Sequence, residues 1–148
     1  MSRLDELIAE LCPDGVEYRT LGENAIIERG SGLQKADFVD EGLPCIHYCQ
    51  VYTHYGLFAT STKSYISAEL FNSLRKISYG DTVTAVTSEN VEDVCRCVTW
   101  LGEGEVATGG HTAIIRHKQN PKYITYFFQS DIFAKQKAKL LMEQKLLR

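Results

Sequence analysis

Apolar residues near the start of the chain recur with the period of an α-helix. Four of them stand at positions i, i+3, i+4 and i+7: Leu4, Leu7, Ile8 and Leu11. This spacing places side chains on one helix face, and Ser2 with acidic residues after it is a typical N-cap. The sequence therefore predicts a short amphipathic helix, which ends at the turn "PDG" of residues 13–15.

The middle of the chain, from residue 16 to about residue 106, consists of short apolar runs separated by glycine. Four runs have the length and the β-branched or aromatic content of strands: "AIIERG", "PCIHYCQVYT", "DTVTAVT" and "VCRCVTWLG". A fifth, "TAIIRH", follows Gly109 and Gly110. One helix is predicted among the strands, because "SAELFNSLRKI" has apolar residues at helical spacing behind a Ser67 cap.

The pattern becomes helical again towards the C-terminus. Asn120 followed by Pro121 is typical of a helix start, and the segment from Asp131 onwards contains no glycine or proline. We therefore predict an α+β fold: a curved, mostly antiparallel sheet with short helices and a C-terminal helix.

Charge is unevenly distributed along the chain. The net charge is -3, but residues 1–100 carry 8 Lys and Arg against 15 Asp and Glu, whereas residues 111–148 carry 8 against 2. The acidic total hides a basic C-terminal segment, which suits either a solvated helix face or a nucleic-acid partner.

Composition argues against several classes of protein. The chain has 148 residues, 44% of them apolar and 24% charged, which is ordinary for a globular domain. No apolar run approaches the length of a membrane span, about 18 residues. Acidic residues interrupt the start, so we expect no secretory signal and a cytoplasmic protein. The five cysteines are an odd number, which disfavours a disulfide framework.

The stretch "LPCIHYCQVYTHYG" at residues 43–56 combines two cysteines, two histidines and three tyrosines. On the predicted strand, Cys45, His47 and Cys49 alternate and would share one face. Cys45 and Cys49 would then lie roughly 13 Å apart, whereas two ligands of one zinc ion are at most about 4.6 Å apart. We therefore expect no metal and no cofactor, and small buried cysteines instead.

Enzymatic alternatives have little support in the sequence. Cys45 and His47 suit a thiolate–imidazole pair, but no third orienting group or oxyanion donor is identifiable, and the known cysteine-protease signatures are missing. The glycines of "GSG" and "LGEGE" do not follow the phosphate-loop pattern G-x-x-x-x-G-K-[ST]. We expect the chain not to be an enzyme.

Surface recognition is the interpretation that remains. Rings, hydroxyls, amides and amines occur together at residues 43–56, in "GSGLQK" at 30–35 and in "TSENVED" at 87–93. Asn, Gln, Lys and Arg are the side chains that pair bidentately with adenine or guanine. The predicted alternation places Ile46 and Tyr48 on one face of the strand and His47 on the other, where it can meet a partner.

Four separated segments, taken in order, resemble a known family. They are "LCPDGVEYRTLGE", "RGSGLQKADFVDEGLPCIHYCQVYTHYG", "GDTVTAVTSENVEDV" and "VTWLGEGEVATGGHTAIIRHKQNPKYITYFFQS". From about residue 11 to residue 138 the chain closely resembles the target recognition domain of type I restriction-modification specificity subunits. The resemblance implies a noncatalytic protein that reads one half of a two-part sequence in double-stranded DNA. Methyltransferase (modification) subunits and a restriction/translocase subunit would be its partners and would hold the catalytic sites and cofactors.

The resemblance also predicts how the chain is organised. Residues 1–130 would form the target recognition domain, and residues 131–148 would begin the spacer helix that separates two such domains in the family. The final "LLMEQKLLR" departs from the family pattern, so we expect a single-domain or truncated form, with a homodimer through this helix as one arrangement. The alternative is a protein-interaction module or truncated remnant that keeps the fold without reading DNA.

Candidate contact residues follow from these segments. For DNA they are Gln34, Lys35, His47, Tyr52, Tyr55, Ser88, Asn90 and His111. Five lysines are candidates for phosphate or partner contacts, the last three having a solvated helix face as the alternative: Lys118, Lys122, Lys135, Lys137 and Lys139. Because residues 1–100 are acidic, we expect weak, salt-sensitive DNA binding by the isolated domain.

Overall fold

The computed structural model describes residues 1–87 and 93–146, with side chains up to residue 140. Its elements, in chain order, are α1 (Arg3–Leu11), α2 (Leu21–Asn24), β1 (Ala25–Arg29), a 3₁₀ turn (Lys35–Asp37), β2 (Leu43–Ile46), α3 (Tyr48–Thr53), β3 (Phe58–Ala59), β4 (Ser64–Ile66), α4 (Ala68–Ser73), β5 (Arg75–Ile77), β6 (Thr82–Ala85), β7 (Cys97–Trp100), β8 (Val106–Thr108), β9 (Thr112–His117), α5 (Pro121–Phe128) and α6 (Asp131–Leu146).

Two helices begin at the caps that the sequence predicts. The Ser2 hydroxyl accepts a hydrogen bond from Asp5 N, and the Asp5 carboxylate accepts one from Ser2 N in return. Asn120 Oδ1 accepts from Lys122 N at 2.9 Å, with Pro121 as the first residue of α5. These contacts satisfy amide groups that have no partner within the helix, so both predicted helix starts are confirmed.

The described strands form two mixed sheets. The larger has the order β1-β9-β6-β7-β3, and the smaller has the order β4-β2-β8-β5. Neighbouring strands are antiparallel except in the pairs β3–β7 and β2–β8, which are parallel. The α+β class and the mostly antiparallel pairing are confirmed, and the strands are divided between two sheets rather than joined in one.

The main core lies between the two sheets. The smaller sheet contributes Ile46, Ile77 and Val106, and the larger contributes Val83, Val98, Trp100 and Ile114. The pleat sends alternate residues to the opposite faces, where helices cover them. Cys97 and Ile115 pack against α5 and Phe133 of α6, whereas Cys45 and Ile66 pack against Leu33 and α4.

The predicted strand "PCIHYCQVYT" is wrong beyond Ile46, because the chain turns into α3 at His47. His47 Nδ1 accepts a hydrogen bond from Cys49 N at 3.3 Å, and Gln50 Oε1 accepts one from His47 N at 3.1 Å. This reciprocal capping satisfies amides at the helix start. Cys45 and Cys49 therefore belong to different elements, and the alternation argument that placed both on one strand face fails.

The predicted helix "SAELFNSLRKI" is correct only in its first part. Ser67 caps α4 through its hydroxyl, which accepts from Leu70 N at 3.2 Å. The helix ends at Ser73, and Arg75–Ile77 forms β5 against β8. Lys76 Nζ donates to Phe71 O at 3.0 Å and to Leu74 O at 2.8 Å. The lysine thus satisfies carbonyls at the helix end and allows the early change to a strand.

Candidate nucleic-acid interface

A cleft of about 520 Å³ opens where three separate segments meet: the loop before the 3₁₀ turn, the junction of β2 with α3, and the turn between β8 and β9. Its lining residues are Gly32, Leu33, Gln34, Lys35, His47, Tyr48, Cys49, Gly110 and His111. Four of the eight predicted DNA-contacting residues are among them: Gln34, Lys35, His47 and His111. The fold therefore brings together side chains that are far apart in the sequence.

Close packing between two glycine-containing segments builds one wall of the cleft. A Cβ atom on Gly109 would lie 2.5 Å from Leu33 Cβ and 2.6 Å from Ser31 O, so no side chain fits there without movement of the loop. The Thr112 hydroxyl donates to Gly109 O at 2.7 Å, and Gly30 N donates to Thr112 O at 3.0 Å. These contacts fix residues 30–35 against the β8–β9 turn.

Gln34 and Lys35 lie at the exposed rim of the cleft. Gln34 precedes the 3₁₀ turn, and its backbone N donates to an oxygen of the Asp37 carboxylate at 2.8 Å. This contact holds the turn while both side chains extend into solvent, as readout of a partner requires.

His111 lines the cleft from the β8–β9 turn. Its φ of 63° is in the left-handed region, which few residues other than glycine adopt, with asparagine, aspartate and histidine the most frequent among them. The side chain is exposed, and its ring lies 4.9 Å from that of Tyr48, centroid to centroid, in an edge-to-face arrangement. A strained backbone that presents an exposed ring is typical of functional positions.

His47 lies at the floor of the cleft, only 4% exposed. Its ring contacts Phe38 at 5.7 Å and Tyr48 at 4.5 Å. Burial lowers the pKa of His47, and the charges of Lys35 and His111 lower it further. Although both side chains are buried, Ile46 packs in the main core whereas His47 lines the cleft. Tyr48, which the predicted alternation placed on the face of Ile46, lines the cleft beside His47. Direct contact of His47 with DNA stays a prediction.

The predicted Tyr52 and Tyr55 are not among the residues that line the cleft. The Tyr52 hydroxyl donates to Thr87 O, and the Tyr55 hydroxyl accepts from Lys63 N at 2.9 Å. Both rings pack against the main core. The structure thus gives the two tyrosines contacts within the protein, and their contact with DNA stays a prediction.

The other candidate contact residues are not among the described residues that line the cleft. Ser88 and Asn90 lie outside the described residues. Lys118 follows the far end of β9 from His111, at a distance of roughly 20 Å along the strand. Lys137 Nζ donates to Val94 O at 2.9 Å, so this lysine has a contact within the protein.

Among the lining residues with a hydroxyl or thiol, sequence reasoning missed Tyr48 and Cys49. Both belong to the first turn of α3, which the sequence analysis took for a strand. A signal was present: His47 and Gln50 are three positions apart, the spacing of a capping box. Histidine is an unusual cap, so the pattern is easily overlooked.

Cys45 and Cys97 are buried, and Cys95 is partly buried. Burial raises the pKa of Cys45 and of Cys97 to about 12, with nearby Asp37 adding to the effect at Cys45. Burial also raises the pKa of Cys95. Such thiols stay protonated at neutral pH, whereas nucleophilic and metal-binding cysteines are thiolates. Within the part of the chain that the structure describes, no three His, Cys, Asp or Glu side chains form a group that suits a metal ion.

Comparison with known proteins links the fold to a class of multisubunit complexes. No protein-family model and no curated protein sequence matches the chain. One similar solved structure comes from work on complex assembly and conformational transition of the type I R-M system. Its TM-score to this chain is 0.55 and the sequence identity is 18%. The match covers 84% of this chain and 33% of the solved chain. A second is the HsdS subunit from Thermoanaerobacter tengcongensis, with a TM-score of 0.53 and 17% identity. This match covers 85% of this chain and 32% of the HsdS chain.

No helix in residues 1–87 and 93–146 is long and apolar enough to cross a membrane. The chain spans about a third of the length of the solved chains that it matches. In the matched part, this chain has the fold of type I restriction-modification specificity subunits.

Proposed function

We propose that the chain reads one half-site of a bipartite DNA target for a type I restriction-modification system. The observation that carries this proposal is the convergence of Gln34, Lys35 and His111 at one exposed cleft. Their amide, amine and imidazole groups suit hydrogen bonding to base edges or phosphates. The likeness to specificity subunits supports the same function.

The proposal assigns a separate role to each part of the chain and to its partner subunits. Residues 1–130 form the target recognition domain, which acts on cytoplasmic DNA, and residues 131–148 begin a spacer helix. That helix binds the modification subunits, which in turn bind the restriction/translocase subunit. Alternatively, the helix pairs with the same helix of a second copy of the chain. Exposed apolar residues on α6, Ile132 and Leu140, support a docking role. Catalysis and cofactors belong to the partners, so this chain is a noncatalytic specificity component.

Selection from a random duplex library tests the proposal. The full chain is incubated with the library at low salt, with and without a modification subunit, and bound duplexes are sequenced. We expect enrichment of a motif of about three or four base pairs, more strongly with the subunit, because a single module buries roughly 600–1,000 Å² and binds weakly by itself. Absence of any motif under both conditions would contradict the proposal.

One observation favours the alternative, a protein-interaction module. Helix α1 buries none of its residues, and Leu4 and Leu11 are 64% and 71% exposed. An amphipathic helix with an uncovered apolar face suits a protein partner. Failure of the selection, together with stable binding of a modification subunit, would favour this alternative over DNA reading.

A further inference from the structure

The rim of the cleft presents mainly hydrogen-bond donors. Lys35 has three N–H donors and no acceptor, the His111 imidazole has at least one N–H, and Gln34 has both donors and an acceptor. Tyr48 adds a hydroxyl and Cys49 a thiol. Among the residues that the structure describes, the lining of the cleft contains no aspartate or glutamate.

Asp37 has the carboxylate nearest in sequence to Gln34 and Lys35, and this carboxylate is hydrogen-bonded within the protein. One of its oxygens accepts from Gln34 N at 2.8 Å. Its charge also adds to the rise in the pKa of Cys45 that burial causes. Lys35 and His111, in contrast, line the cleft together with His47, and their charges add to the lowering of the pKa of His47 that burial causes.

Base edges differ in whether they complement such a surface. In the major groove guanine presents two acceptors, N7 and O6, whereas cytosine presents the N4 amino donor, which needs an acceptor from the protein. Adenine presents one acceptor and one donor. The Lys35 amine and the His111 imidazole are donors at the described lining of the cleft, so they complement the two acceptors of guanine, while the Gln34 amide is compatible with either purine.

We propose that the half-site contains a guanine whose N7 and O6 accept hydrogen bonds from Lys35. This inference rests on the proposed function and names the base that the cleft selects. A lysine can instead neutralise a phosphate, which contributes affinity without sequence preference. The two roles differ in whether loss of the N7 acceptor from one base affects binding.

The test uses a duplex enriched by the selection described above. Each guanine in the motif is replaced singly by 7-deazaguanine, which lacks the N7 acceptor and keeps its Watson–Crick pairing. Dissociation constants are measured by fluorescence anisotropy for the wild type, Lys35→Met and the matched control Lys63→Met, which removes an exposed lysine outside the cleft. Circular dichroism checks that both variants fold.

We expect 7-deazaguanine at one position to weaken wild-type binding about tenfold. The same replacement should have no further effect on Lys35→Met, because the partner of N7 is already missing. Lys63→Met should keep both the wild-type affinity and the tenfold effect.

Three outcomes would overturn the inference: a motif without guanine, equal effects of 7-deazaguanine on the wild type and Lys35→Met, or a loss in Lys35→Met that is the same for every duplex. The last outcome would assign Lys35 to a phosphate. In all three a motif is still enriched, so the proposed function stands. A selection without any motif would overturn the function and the inference together.

Discussion

The ring of Tyr48 supports the ring of His111 at an edge-to-face angle of 63°, with 4.9 Å between their centroids. Tyr48 in turn lies 4.5 Å from His47, which contacts Phe38. A continuous series of aromatic rings thus connects the buried floor of the cleft to its exposed wall. The ring contact thus packs the exposed side chain of a residue whose φ is positive.

Replacement of Tyr48 tests that support. Tyr48→Ala removes the ring contact, an interaction of about 0.5–1.5 kcal/mol, and should weaken binding to a selected duplex by a matching factor of roughly two to ten. Tyr48→Phe keeps the ring and should bind like the wild type. Anisotropy titrations measure both. Equal losses in the two variants would show that the hydroxyl, not the ring, is the important group.

Gly109 is the second point at which the cleft can be tested. Gly109→Ala places a Cβ atom 2.5 Å from Leu33 Cβ and 2.6 Å from Ser31 O, and the loop must move to relieve the overlap. We expect a loss of about 1–3 kcal/mol in the free energy of unfolding, as for other overpacked sites, measured by urea denaturation.

The matched control is Gly22→Ala. A Cβ atom on Gly22 would meet no atom within 4 Å, and this residue lies within α2. Alanine is favoured over glycine in helices, so stability should be unchanged or slightly higher. If the two variants lost the same stability, close packing at Gly109 would not be the cause.

The position of His47 makes stability depend on pH. Burial first, and then the charges of Lys35 and His111, lower its pKa in the folded state from 6.5. The unfolded chain therefore binds a proton at higher pH than the folded chain does, and stability falls as the pH drops below about 6.5 towards the folded-state pKa. Above that window the contribution of His47 is fully present.

His47→Asn isolates this effect. Asparagine is a good N-cap and can accept from Cys49 N as His47 Nδ1 does, but it does not titrate. The difference in unfolding free energy between pH 7.5 and pH 5.5 should be smaller in this variant than in the wild type. Identical pH dependence in the two proteins would show that His47 is not the group responsible.

Local patterns predicted much of the fold because local interactions determine it. Helices α1 and α5 begin at Ser2 and Asn120, whose side chains bond to amides two or three residues away. Strand β9 is a short, largely apolar run whose first four residues are buried. Helix α3 was missed because its tyrosines and valine also suit a strand, and its cap is a histidine that gains its role only through the return contact from Gln50.

The cleft depends on tertiary contacts that no local pattern encodes. Lys35 and His111 line the same cleft because Gly109 allows the β8–β9 turn to pack directly on residues 31–33. Residue chemistry was sufficient to select both as candidates. It did not distinguish them from Tyr52 and Tyr55, whose hydroxyls bond to Thr87 O and Lys63 N within the protein.

Arg116 links the two sheets away from the cleft. Its guanidinium bonds to the carboxylates of Glu28 in β1 and Asp81, and donates to Lys76 O in β5 at 2.6 Å. Because β1 and β5 belong to different sheets, these contacts fix the sheets relative to each other. The side chain of Asp81 is only 13% exposed, so removal of the cation would leave a poorly solvated charge.

Arg116→Met is therefore expected to lower the unfolding free energy by about 1–2 kcal/mol, a range that allows for the partial exposure of the pair. Arg19→Met is the matched control, because Arg19 pairs with Glu17 on the surface at 2.8 Å, and exposed pairs contribute little to stability. Urea denaturation of both variants measures the difference. Equal midpoints would show that Arg116 acts as an ordinary surface ion pair, and the relative position of the sheets would then depend on the apolar core between them.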